Sequence, residues 1–241
     1  SLNWGMSNNN TGQLINQSQE VIEEFIGSDN YDIGHTFSTG AGGLASLGGP
    51  CNSNNKAKGV TGTNSPIGDA YDVDYVAHEI GHQFGGNHTF NGSDGSCNGN
   101  RNAETAYEPG SGSTIMAYAG ICSGHNIQSY SNPYFHPASF DEIAYYINSS
   151  YGNSCAVVTE TGNTPPVAFI EDKVYTIPFY TAFELNGTAT DADEDVLSYS
   201  WIELDLGPSG HPNSPFNNAP IFRAFTPKEV SKERKEFRKA L

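Results

Sequence analysis

Residues 78–88 read HEIGHQFGGNH and restrict the chain more than any other stretch. His78 and His82 are four apart, so a helix sets them on one face, one turn from each other. Two imidazoles so placed can share one metal ion, and imidazole suits zinc. His88 lies six residues past His82 and would point elsewhere if the helix continued. The chain must turn, and Gly85 and Gly86 allow it, because glycine takes the left-handed conformation that ends helices at no steric cost. Three histidines leave the fourth tetrahedral position for water, the pattern of a catalytic rather than a structural site. Glu79, next round the helix, reaches such a water without being a ligand, which fits a general base. A bare HExxH is a common chance match on an amphipathic helix; Gly85 and His88 at these spacings argue against chance.

The flanking residues support a helix. Asp69 is the expected N-cap, with Asp72 in the first turn where the helix dipole favours it. Val73, Val76, Ile80 and Phe84 recur at spacings of three and four and predict a core face, with His78 and His82 roughly opposite.

A second stretch, GSTIMAYAG at 112–120, joins the first. Together they resemble the metzincin zinc metalloproteases, with Met116 similar to that family's methionine turn, an apolar floor beneath the metal. YDIGHTFS at 31–38 and GGLASLGGPC at 42–51 resemble the reprolysin (adamalysin-like) branch. The likeness covers most of residues 15–155. It implies an α+β catalytic domain over 1–160, α/β-like in its upper subdomain, with a twisted mixed sheet and a zinc helix. Substrate would lie along an edge strand above the cleft by strand addition. It also implies zinc on His78, His82 and His88, with Glu79 as base. Strand and helix segments that normally precede the helix at 14–27 are missing or reduced here. Either the sequence starts inside the domain or this branch is compact. Tyr118, two residues after Met116, is a further departure: the astacin and serralysin branches carry a tyrosine there and typical reprolysins do not. Its hydroxyl is a candidate transition-state donor; the alternative is a ring that only packs.

Cys51, Cys97, Cys122 and Cys155 form no CxxC pair, so a cysteine metal site is not expected and two disulfides are. Three pairings are open from the residues alone. The resemblance implies Cys51–Cys155, tying the upper sheet to the end of the closing helix, and leaves Cys97–Cys122 to pin the long loop at 89–112.

Along the chain, residues 1–12 are expected to be irregular and 14–27 an amphipathic helix ended by Gly27. Short strands follow in 31–38, 42–49 and 56–63. His35 is read as structural rather than as a ligand, since the metal already has three. Residues 139–152 predict a closing helix with Phe140, Ile143, Tyr146 and Ile147 on one face and a capping box of Ser139 with Glu142. His125 and His136 are read as loop-surface histidines, with pocket lining as the alternative. TGNTPP at 161–166 is a linker by composition. Residues 167–227, with runs VAFI, VYTIP, AFELNGTAT and VLSYSWIEL, predict a β-sandwich module, truncated in length. It resembles the immunoglobulin-like or cadherin-like modules appended to secreted bacterial proteases. Asp191, Asp193 and Asp195 could hold calcium, but an acidic hairpin turn is the favoured reading. Residues 228–241 are a basic, helix-prone tail.

The formal net charge is −16, from 27 acidic and 11 basic residues. That argues against nucleic acid or an anionic membrane as the main partner. No apolar run is long enough to span a membrane. The opening SLNWGMSNNN lacks an initiator Met and a signal peptide, as expected of a mature or trimmed fragment. The expected protein is a secreted, monomeric zinc endopeptidase acting on peptides or proteins. Two alternatives stand beside it: a zinc peptidase restricted to chain ends, and an inactive protease-like adhesion protein that binds through the β-sandwich. An intact Glu79 argues against the last.

Overall fold

The computed structural model describes residues 5–6, 8–40, 42–171, 174–178, 181–229 and 232–235. Parts of the opening segment and of the basic tail lie outside them. Helix α1 spans Thr11–Phe25, three residues earlier than its apolar pattern suggests, because the Asn10 side chain accepts from the Gln13 N–H and caps it. Strands β1 (Thr36–Ser38), β2 (Gly42–Ala45) and β3 (Gly59–Gly62) form a mixed sheet in the order β1-β3-β2. Thr36 pairs in parallel with Val60, and Gly42 antiparallel with Gly62. β2 is thus an edge strand of this sheet.

Leu14 and Ile15 of α1 pack on Val60 of β3, with Met6 beside them. The rest of this interface is polar. Ser18 Oγ donates to the Ala57 carbonyl, and Gln19 Oε1 accepts from the Ala57 N–H. Such bonds satisfy backbone groups that burial would otherwise leave unpaired.

The metal-motif helix is bipartite. Asp69–Tyr71 (α2) is α-helical, Asp72–Ala77 is π-helical, and His78–Gln83 (α3) is α-helical again. Gly68, not Asp69, holds the N-cap position, and Asp69 is the first helical residue. The π turn widens the helix, so spacings of three and four no longer define one face. Val73, Val76, Ile80 and Phe84 are only half-buried, while His78, Glu79, Gly81 and Gln83 are buried. The face against the sheet is therefore polar. Gln83 Nε2 donates to the Gly34 carbonyl. Its Oε1 accepts from His35 Nδ1, and His35 Nε2 meets Thr61 Oγ1. Both His35 nitrogens are used structurally. At the C-terminus, Gly86 N–H bonds to Gly81 O and Gly85 N–H to His82 O, a Schellman closure with Gly85 at φ 92°.

The closing helix α4 spans Pro137–Ser149. The expected capping box is absent: His136 Nδ1 accepts from Ala138 N–H and caps the helix, and Glu142 instead binds the N–H and side-chain amide of Asn87. Of the predicted apolar face only Tyr146 is buried, its hydroxyl donating to Pro50 O; Phe140 is 65% exposed and Ile147 40%. Disulfides join Cys51 to Cys155 and Cys97 to Cys122.

Beyond Cys155, strands β4 (Val167–Ile170), β5 (Phe183–Thr190) and β6 (Lys232–Lys235) form one antiparallel sheet. VAFI and AFELNGTAT thus hold strands. VYTIP does not, and VLSYSWIEL contributes a single bridge, Tyr199 to Lys228. A second facing sheet, which a sandwich requires, is not among the described residues. The segment read as a helix-prone tail supplies β6. Asp191 Oδ1 accepts from Asp193 and Asp195 N–H groups, the arrangement of an acidic turn. Residues 207–224 return to the first half of the chain. Pro208 O accepts from Asn91 Nδ2 and Gly207 O from Arg101 Nη2. Ala224 O accepts from Ser113 Oγ, and Arg223 binds Gln128 Oε1.

Gly59 sits where any Cβ would run into the Gln83 amide. Gly59→Ala is expected to destabilise the protein by about 1–3 kcal/mol through overpacking, measured by urea unfolding. Unchanged stability would mean that the sheet and helix do not meet tightly there.

Candidate metal centre

The three histidines come together as their spacing requires. The Nε2 atoms of His78, His82 and His88 lie 3.0–3.3 Å from one another. Each Nδ1 faces a backbone carbonyl at 2.7 Å: Ile115 for His78, Gly86 for His82 and Asn100 for His88. A carbonyl only accepts, so each Nδ1 carries the proton and each Nε2 of the neutral ring presents a bare lone pair. Three lone pairs at this separation repel unless a cation lies among them. Ligands about 2.0–2.1 Å from a tetrahedral zinc ion would stand about 3.3 Å apart, close to what is observed. The donor set therefore fits zinc. Burial lowers the basicity of all three rings, His88 to about 4, which keeps them neutral and ready to ligate. This is the only group of three or more such ligands among the described residues.

Each carbonyl comes from a different part of the fold. Gly86 belongs to the helix closure. Asn100 lies in the loop that the Cys97–Cys122 disulfide pins beside Phe90. Ile115 precedes Met116, which is fully buried with its sulfur against Gly81. Any side chain at 81 would collide with that sulfur, so glycine lets the methionine lie directly under the helix.

Glu79 is buried, and burial pushes its carboxyl up to about 8. Gly43 of edge strand β2 lies so close to this carboxyl that a Cβ would overlap it. The ring of Tyr118 lies 5.5 Å from His78, 4.6 Å from His88 and 4.6 Å from Phe90, centroid to centroid. Burial, with the charge of Glu79, pushes its hydroxyl up to about 12. These groups open onto a cleft of about 1160 Å³ lined by Gly42, Gly43, His78, Glu79 and Tyr118.

A family model described as metallo-peptidase family M12B, reprolysin-like, matches residues 3–148. The chain belongs to that family. Membership in the M12B reprolysin-like peptidases implies zinc-dependent peptide hydrolysis. No curated protein matches the chain. No helix among the described residues is long and apolar enough to cross a membrane.

In this M12B chain, sequence reasoning missed Glu108. It is 1% exposed. Its Oε1 accepts from Thr89 Oγ1 at 2.6 Å and Thr114 Oγ1 at 2.5 Å, and its Oε2 from Ser113 N at 2.7 Å and Thr114 N at 3.2 Å. Ser113 Oγ, 3.0 Å away, shares its proton between Oε2 and Ala224 O. Glu108 thus ties the segment after His88 to the turn before Met116. The one signal was a lone carboxylate followed closely by Ser111, Ser113 and Thr114. His136 was also misread. It is 1% exposed, stacked on Tyr107 at an interplanar angle of 4°, and burial lowers its basicity. His125 is half-buried, with its Nδ1 accepting from Ser93 N–H. Neither residue lines the cleft.

Glu108→Gln is expected to cost about 2–3 kcal/mol, because an amide NH2 would face donors in place of an acceptor. Zinc affinity should fall with it. Denaturant unfolding and chelator competition measure the two effects. Wild-type values for both would remove Glu108 from this role.

Proposed function

We propose that the chain is a secreted zinc endopeptidase of the metzincin type, with Glu79 as its general base. The observation that carries the reading is the convergence of three unprotonated imidazole nitrogens beside the buried Glu79 carboxyl group, with His78 and Glu79 lining a cleft. A zinc ion bound there supplies Lewis-acid polarisation of the scissile carbonyl and acidifies water. His78, His82 and His88 would hold the ion, their rings locked by carbonyl bonds. Glu79 takes the proton of the attacking water and returns it to the leaving amine. The buried surroundings of Glu79 and the absence of a side chain at Gly43 keep that carboxyl aimed into the cleft. Met116 supports the helix from below. Two disulfides support an oxidising, extracellular setting. The domain reading is a protease over 1–160, a linker at 161–166 and an appended module over 167–227 of the kind borne by secreted bacterial proteases.

Glu79→Gln should keep zinc and lose about 10²–10⁴-fold in turnover, whereas His82→Ala should lose the metal. Zinc content by atomic absorption and cleavage of a quenched peptide library, with and without chelator, report both. Normal turnover by the Gln variant would overturn the assignment. Cleavage confined to terminal residues would instead favour a chain-end peptidase.

Tyr118 is proposed as a transition-state donor, supported by its place against His78 and His88. Tyr118→Phe keeps the ring packed on Phe90 and removes the hydroxyl. Turnover should fall roughly tenfold, about 1.4 kcal/mol, with the Michaelis constant little changed. Equal turnover in the zinc-loaded variant would leave Tyr118 a packing residue.

A further inference from the structure

Asp74 lies one turn before His78, within the π-helical segment, and lines the same cleft as Glu79. It is half-buried. Its Oδ1 accepts from Ser131 N–H at 2.6 Å. No Lys or Arg lies among the residues that line the cleft. Arg223 reaches the cleft wall from outside, where its guanidinium binds Gln128 and covers the Phe225 ring. Among the described residues Asp74 has no cationic partner. A carboxylate taken partly out of water without a counter-charge is unfavourable, and burial raises its pKa accordingly.

Asp74 shares the cleft with three tyrosines besides Tyr118. Tyr71 and Tyr75, on the same bipartite helix, stack with centroids 6.3 Å apart, and Tyr130 stands exposed at the rim. All three line the cleft. A cleft that these tyrosines share with the Asp74 carboxyl group suits a long side chain with an apolar stem and a cationic head. The net charge of −16 would add long-range attraction for basic substrates.

Resting on the zinc-peptidase reading, we propose that Asp74 is a specificity determinant that pairs with a Lys or Arg side chain of the substrate next to the cleaved bond. The π turn matters here, because it sets which residues of the helix face the cleft one turn before the metal.

The test compares quenched peptides that differ only in the residue flanking the scissile bond: Arg, Lys, Leu or Glu. In the zinc-loaded wild type, kcat/KM should be at least tenfold higher for Arg and Lys than for Leu, and lowest for Glu. In Asp74→Asn the amide oxygen still accepts from Ser131 N–H, but the charge is gone. The Arg-to-Leu ratio should then fall at least tenfold. A wild type that prefers Leu, or an Asn variant that slows all four peptides equally, would overturn the proposal and leave Asp74 as an anchor for the Ser131 loop. Calorimetric binding of Arg- and Leu-bearing peptide hydroxamates to both proteins needs no turnover. If no peptide is cleaved, the peptidase reading falls, and the affinity ratio alone decides the pocket: Arg over Leu, lost in Asp74→Asn, upholds it, and equal affinities reject it.

Discussion

The structure depends on three hydrogen bonds from imidazole Nδ1–H groups to backbone carbonyls. Each fixes a tautomer and aims a lone pair at one point. The carbonyls of Gly86, Asn100 and Ile115 reach that point from the helix closure, the disulfide-pinned loop and the methionine turn. Much of the fold around the site positions these three oxygens. Because the aimed lone pairs repel one another, the metal-free fold opposes its own geometry, and a bound cation relieves it. Binding of a metal by these three rings would therefore be coupled to folding.

Polar bonds supply much of the cohesion in this half of the chain. Only 36% of the residues in the whole chain are hydrophobic, and the apolar clusters among its described residues are small. Gln83 and Glu108 fill places that larger cores give to leucine or phenylalanine. Each is satisfied on several sides, which is the condition under which buried polar groups specify a single arrangement. The same networks place the site: Gln83 sets α3 on the sheet, and Glu108 joins the two segments that carry His88 and Met116.

The convergence of the candidate metal ligands was legible because their chemistry is local. His78, His82, Gly85 and His88 sit within one helix and its closure, where fixed spacing translates into fixed geometry. Strand positions in 31–63 were legible for a similar reason, since glycine clusters bound each run. The polar core was not. A helical pattern of Val73, Val76, Ile80 and Phe84 assumes an α-helix throughout, and the π turn breaks that assumption. Glu108 and His136 gain their roles from residues far along the chain, and a loop rich in Gly and Ser carries no period to reveal them. Ser139 and Glu142 match a capping box locally, yet Asn87 takes the carboxylate and His136 takes the cap.

The return of residues 207–224 onto Asn91, Arg101 and Ser113 alters how the second half of the chain is best regarded. Cys155 is held at the start of that half by Cys51, and Gly207 is held at its far side by Arg101. The stretch between them, with β4 and β5, is an excursion whose two ends are fastened to the same body. In topological terms the appended module is tethered to the first half at both ends and not through its linker alone. Loop-closure entropy grows slowly with length, but β6 and Lys228, which follow the returning residues, pair with β5 and Tyr199, so exchanging the excursion would also strip them of their partners. Removing the returning strap is another matter, because the Arg101 guanidinium and the Asn91 amide would each lose a part-buried carbonyl acceptor, and the Ser113 hydroxyl would keep only Glu108.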